Sequence, residues 1–104
     1  MVFVPDPAVE VLLEALFAAG AGKLGRYDRC AFTVKGEGRF RPLPGAKPAI
    51  GRPPLEGEAA GPDEFVAETR VEVLVPDDKV EAVTSAMRSA HPYEEPAFYF
   101  LLVE

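Results

Sequence analysis

The sequence has one cysteine, one histidine and no apolar run approaching the ~20 residues that cross a bilayer. With Cys30 alone there is no internal disulfide, which fits a reducing compartment. With His91 alone, one chain cannot close a histidine-rich metal centre, although symmetry could bring three copies together. Met1-Val2-Phe3-Val4 runs straight into Pro5 and Asp6 with no basic leader, so the expected location is the cytoplasm, with no membrane partner. Basic residues are also short: 11 Lys and Arg against 17 Asp and Glu leave a formal charge of −6. Nucleic-acid affinity comes from neutralising phosphates, so that balance argues against nucleic acid as a partner. What remains is a chain of 104 residues with an ordinary apolar share of 48%, enough for a single globular domain over residues 1–104.

The charge that is present is unevenly placed. Lys23, Arg26, Arg29, Lys35, Arg39, Arg41, Lys47 and Arg52 share one segment whose only acids are Asp28 and Glu37. Such asymmetry fits a patch for a small anion or nucleotide, a surface complementary to an acidic neighbouring subunit, or a solvated loop.

Met1 to Val4 reads as a short buried strand. Asp6 is placed to cap a helix and Pro7 to open it, since the first helical position needs no N–H. Val9, Leu12, Leu13, Leu16 and Phe17 recur at helical spacing, and Gly20 and Gly22 end the run. Arg29 to Lys35 reads as a strand, Gly36-Glu37-Gly38 as a turn, and Arg39 to Arg41 as a short return. From residue 42 to 62, six prolines and four glycines leave no room for a regular element. A loop that long in so small a domain is functional or flexible. Glu64 to Val75 alternates as a strand, with Phe65, Ala67, Thr69, Val71, Val73 and Val75 on one side. A second helix follows Pro76-Asp77, carries Val80, Val83, Met87 and Ala90 on one stripe, and stops at Pro92. Pro96 to Glu104 reads as a last strand.

The chain repeats itself. Val4-Pro5-Asp6-Pro7-Ala8-Val9-Glu10 matches Val75-Pro76-Asp77-Asp78-Lys79-Val80-Glu81, and Tyr27-Asp28-Arg29-Cys30-Ala31-Phe32 matches Tyr93-Glu94-Glu95-Pro96-Ala97-Phe98. Two strand–helix–strand units in tandem predict an α+β, ferredoxin-like fold: a duplicated βαβ with a single antiparallel sheet and two helices on one face. His91-Pro92-Tyr93-Glu94-Glu95-Pro96 then fills the same slot as Gly25 to Cys30, the joint between a helix and the next strand. Pro92 keeps His91 out of helical geometry.

Helices on one face leave the other face open. The final segment, Phe98 to Val103, is apolar on both sides, and exposing such side chains costs ~1.5–3 kcal/mol each. The open face is therefore expected to be covered by other copies of the chain, with the proline loop as the alternative cover.

For chemistry, His91, Glu94 and Glu95 are suitable ligands for a divalent metal such as copper or zinc. In an extended segment, however, His91 and Glu95 would stand ~13 Å apart at ~3.3 Å per residue. Cys30 reads first as a small buried hydrophobe; a reactive thiolate would need Arg26 or Arg29 beside it. Gly20-Ala21-Gly22-Lys23-Leu24-Gly25 lacks the spacing of a phosphate loop and lies at a helix C-terminus, where the dipole repels anions.

GAGKLGRYDRCAF, GEGRFRPLPGAKPAIG, EFVAETRVEV and AHPYEEPAF together resemble the YqfO-type domain of the Ngg-interacting-factor-three-like family, the GTP cyclohydrolase 1 type 2 homologues. The fold and the HPYE segment are also similar to the trimeric PII and CutA group. That resemblance implies a PII/CutA-like domain, assembly as a homotrimer, and a regulatory or small-ligand-binding role without enzymatic activity. The two-metal hydrolase residues of the full-length relatives belong to a domain outside the matching region. The resulting candidate ligand residues are Tyr27, Asp28, Arg29, Cys30, Gly45, His91, Tyr93, Glu94 and Glu95, with no resident cofactor. Divalent metal on His91 with Glu94 or Glu95 is the second reading, and a nucleotide hydrolase the third.

Overall fold

A computed structural model describes residues 1–103. Its elements are β1 (Val2–Pro5), α1 (Val9–Ala18), β2 (Phe32–Phe40), β3 (Glu64–Glu72) and α2 (Val80–Ala90). The strands form one antiparallel sheet in the order β1-β3-β2. Both helices lie on one face of it, and the result is the expected α+β, ferredoxin-like arrangement.

Cross-strand pairs in an antiparallel sheet share a face, so the register fixes what each side presents. Val2 pairs with Val71 and Val4 with Thr69, and these four side chains face the helices. They meet Leu12 and Leu16 of α1 and Val83 and Met87 of α2 in a core where Val4, Leu12 and Val71 are wholly buried. The opposite face carries Phe3, Arg70 and Val34 in one row and Glu68 and Gly36 in the next.

The repeat is visible in the backbone. Pro5 (φ −57°, ψ 140°) and Pro76 (φ −61°, ψ 146°) each lead into one 3-10 turn before the α-helix proper. The helices begin at the matched residues Val9 (φ −59°, ψ −50°) and Val80 (φ −56°, ψ −45°). Asp6 does not cap α1. Its carboxylate instead accepts a 2.7 Å hydrogen bond from Thr69 Oγ1, tying the turn to the sheet. Gly20 ends α1 at φ +113°, with Ala21 N–H bonding to the Leu16 carbonyl and Gly20 N–H to that of Phe17. Those bonds form a Schellman closure, for which glycine is favoured because it adopts positive φ without a Cβ clash.

Three expectations need correction. Gly36-Glu37-Gly38 is not a turn, and Arg39 to Arg41 is not a returning strand. β2 runs unbroken through both glycines, which pair with Glu68 and Val66 of β3. Gly38 serves a side chain across the sheet, since a Cβ there would collide with the Glu68 carboxyl group, whereas a Cβ on Gly36 would meet open space. The ladder is also shorter at its ends than expected, starting at Phe32 and stopping at Glu72. Finally, Pro96 to Val103 is not a strand, and Glu104 lies outside the described residues. Hydrogen bonds along the free edge of β1 join Phe3 N–H to Ala97 O and Tyr99 N–H to Met1 O. Only Val2 and Phe98 form a bridge, and Phe100 to Val103 continue without a ladder.

The molecule is long for its mass. Its radius of gyration is 15.5 Å and its extents are 56 × 25 × 25 Å, against ~13 Å for a compact chain of this size. The accessible surface, 7119 Å², exceeds the ~5,700 Å² typical of the mass. The excess comes from the outer β2–β3 hairpin, where Phe65 and most of β2 are exposed, and from the Phe100–Val103 tail.

Candidate functional site

The joint after α2 is built around His91. Pro92 cannot continue the helix, so His91 leaves it in an extended conformation (φ −77°, ψ 134°) while its N–H still bonds to Met87 O. The imidazole is 6% exposed. Its Nε2 lies 2.7 Å from Phe3 O, and its Nδ1 accepts the Tyr93 N–H at 3.1 Å. A neutral ring protonated on Nε2 satisfies both contacts. Both nitrogens are thus engaged in fixing the joint to β1, which leaves neither lone pair free for a metal. Among the described residues, no three of His, Cys, Asp and Glu converge as a metal-binding group.

Tyr93 emerges on the open face of the sheet. Its ring packs edge-on against Phe40 at 6.0 Å and against His91 at 5.1 Å, and its hydroxyl donates to Glu68 Oε2 at 2.8 Å. Burial, with the bond to the Glu68 carboxylate adding to it, pushes the phenol well above its ordinary value. It stays protonated at neutral pH and holds Glu68 in place.

The proline-rich loop closes over this corner. Gly61 N–H bonds to Pro42 O at its base, Ala46 N–H to Leu43 O at a turn, and Lys47 N–H to Glu94 Oε1 at 2.8 Å. That last contact fastens the loop to the joint. The result is a cleft of about 350 Å³ between Phe3, Phe40, Glu68 and the Tyr93–Glu95 segment on one side and Pro42, Leu43, Ala46 and Pro48 on the other. Clefts of this size, apolar with a few placed polar groups, are the usual form of a small-molecule site.

The structure therefore brings Tyr93, Glu94 and Glu95 together, with His91 as their support. Gly45 turns the loop at φ +94° without lining the cleft. Tyr27, Asp28, Arg29 and Cys30 lie elsewhere. Tyr27 is 76% exposed in a tight turn where it exchanges two backbone hydrogen bonds with Leu24. Arg29, in the left-handed region at φ 57°, forms a two-pronged ion pair with Glu14 and lies 4.9 Å over the Phe17 ring. The hydrogen bond from Arg29 holds the Glu14 carboxyl below its usual range. The Cys30 thiol points to Asp28 O at 3.6 Å and borders a separate depression of about 550 Å³ lined by Phe32, Leu74 and the Phe100–Val103 tail. Of the basic segment, Arg39 and Arg41 line the cleft and the other side chains do not gather there. Lys35 faces Asp6, Arg39 lies over Phe65, and Arg52 pairs with Glu58.

Reading the sequence alone misses Phe3, Phe40 and Glu68 as site residues. The available signal was Gly38, a glycine inside a strand, which marks close approach by something across the sheet.

No family model matches the chain. Curated relatives named GTP cyclohydrolase 1 type 2 homologue do. The protein of Mycobacterium leprae is 46% identical over 98 residues, covering 94% of this chain and 24% of its own. That of Bacillus subtilis is 44% identical over 103 residues, covering 99% of this chain and 26% of its own. Among solved structures, a Bacillus cereus protein related to NIF3 superposes with a TM-score of 0.69 at 40% identity, over 92% of this chain and 22% of that one. The chain spans about a quarter of the length of the curated relatives it matches. Among the described residues, no helix is long and apolar enough to cross a membrane. With the shared fold and this level of identity, the chain is similar to a quarter-length segment of the NIF3-related GTP cyclohydrolase 1 type 2 homologues.

Proposed function

We propose that this chain is a non-enzymatic binding module that assembles with copies of itself, as a homotrimer of the PII/CutA kind, and holds a small ligand in the cleft beside Tyr93. The observation that carries this reading is the cleft itself. It is formed where the Pro42–Gly51 loop is bonded to the His91–Glu95 joint, two segments about fifty positions apart in the sequence. A regulatory role follows from the placement, since a ligand gripping both segments would stiffen the loop.

Assembly is supported by the unshared surface. Phe32, Phe65, Leu101, Leu102 and Val103 are each more than half exposed, and large apolar patches of this sort mark interaction sites. The proline loop shades Phe3 and Phe40 but leaves the tail uncovered. The relatives' name points to GTP, but the matching segment is a quarter of those proteins.

Two measurements test the reading. Sedimentation equilibrium at micromolar concentration should find a species larger than one chain, and a single-chain species would remove the assembly. Turnover of GTP by the purified protein would overturn the non-enzymatic assignment.

A further inference from the structure

The carboxylates of this molecule fall into two groups. Asp6, Glu14, Glu58 and Glu72 each have a lysine or arginine within ion-pair distance. Among the described residues the other carboxylates have none within that distance, and three of these, Glu68, Glu94 and Glu95, line the cleft beside Tyr93. Two of the three are pre-positioned by neutral donors. Glu68 accepts the Tyr93 hydroxyl and Glu94 accepts the Lys47 N–H, each at 2.8 Å. Neutral donors orient a carboxylate without cancelling its charge.

The walls between them are the rings of Phe3, Phe40 and Tyr93. Aromatic faces are the negative side of the ring quadrupole and attract cations within ~6 Å of the centroid. The opposing charge is smaller: Arg39 and Arg41 also line the cleft, and the Arg39 guanidinium lies over the Phe65 ring at 4.8 Å. An anion entering this space would meet three carboxylates against two arginines, and a neutral apolar molecule would leave those carboxylates desolvated without a partner.

We infer that the cleft binds an organic cation: an ammonium, amidinium or guanidinium head on an apolar body, with the head at Glu68 and Glu95 and the body against Phe3, Phe40 and the proline loop. This deepens the ligand-binding reading and rests on it. It also opposes the sign expected from the basic segment, of which Arg39 and Arg41 line the cleft.

The test keeps shape constant and changes charge. Amide chemical shifts of the 104-residue chain are followed during titration with benzamidine, benzamide and benzoate, which share one ring and differ in the charge of the head group. Benzamidine should move the signals of Lys47, Glu68 and Tyr93 and bind at least about tenfold more tightly than benzamide, because charge-assisted hydrogen bonds are roughly twice as strong as neutral ones. Glu95→Gln, at an exposed position where folding is not at stake, should weaken benzamidine several-fold, and Glu68→Gln should weaken it further. If benzoate or adenosine monophosphate moves the same signals with equal or greater affinity, or if neither Gln variant changes the benzamidine affinity, the cation assignment is overturned while the cleft stands. If no probe moves those signals at millimolar concentration, the cleft reading is overturned along with it.

Discussion

The two joints that follow α1 and α2 match in sequence and differ in what they do. Tyr27-Asp28-Arg29-Cys30-Ala31-Phe32 and Tyr93-Glu94-Glu95-Pro96-Ala97-Phe98 occupy equivalent places in the two halves. In the first, the tyrosine stands in solvent, the joint is a tight turn, and an exposed arginine–glutamate pair ties it to α1. In the second, a buried histidine anchors the joint to β1, and the tyrosine lies on the open sheet face holding a carboxylate. The strand-to-helix turns, by contrast, kept nearly the same torsions in both halves. Sequence equivalence thus preserved the turn geometry set by Pro5 and Pro76 but not burial, because burial depends on what the rest of the chain brings up. The loop after β2 was brought to the second joint and not to the first.

The largest effect that would sharpen this contrast is at His91. His91→Ala removes a buried ring and leaves the Phe3 carbonyl and the Tyr93 N–H without partners. It should cost ~2–4 kcal/mol in urea unfolding, whereas Arg26→Ala in the equivalent joint should stay within ~0.5 kcal/mol. Equal losses at both positions would break the comparison.

A middle-sized effect is expected at the two tyrosines. Tyr93→Phe loses a hydrogen bond to a carboxylate in a half-buried setting and should cost ~1–2 kcal/mol, whereas Tyr27→Phe should be silent. The pH dependence has a definite sign. The folded-state phenol of Tyr93 is raised above its unfolded value, so its contribution is complete below the ordinary phenol value of ~10 and is lost as pH climbs beyond it. The wild type should therefore lose stability more steeply than Tyr93→Phe above that pH, measured by denaturation at a series of alkaline pH values. Parallel curves would mean that the bond to Glu68 contributes nothing.

The smallest effect is at Arg29. Arg29→Gly gives up an exposed ion pair but relieves a left-handed backbone that glycine adopts freely. The two consequences oppose each other, so the unfolding midpoint should shift less than in either experiment above. A large destabilisation would show that the first joint is as firmly built as the second.

The structure also shows where pattern reading stops. Helix positions followed from apolar spacing, and the helix stops from Gly20 and Pro92, because caps and breakers act within a few residues. Gly36 and Gly38 misled for the same reason in reverse. Local statistics associate paired glycines with a turn, but here Gly38 makes room for Glu68 on the paired strand. The final segment misled because Phe98 to Val103 has strand composition, whereas a strand also needs a partner, and β1 provides one only through Tyr99.

The sequence by itself determined the duplicated strand–helix units, the helix ends and the single-sided core, because periodicity, proline and glycine are short-range constraints. It also marked His91 to Glu95 as unusual. Only the tertiary structure decided that His91 is an anchor and that the Tyr93 cleft gathers Glu68, Glu94 and Glu95 with Arg39 and Arg41 of the basic segment. The anchor and the cleft depend on contacts between residues about twenty-five to ninety positions apart, which the sheet register and the loop's return fix and no local pattern encodes.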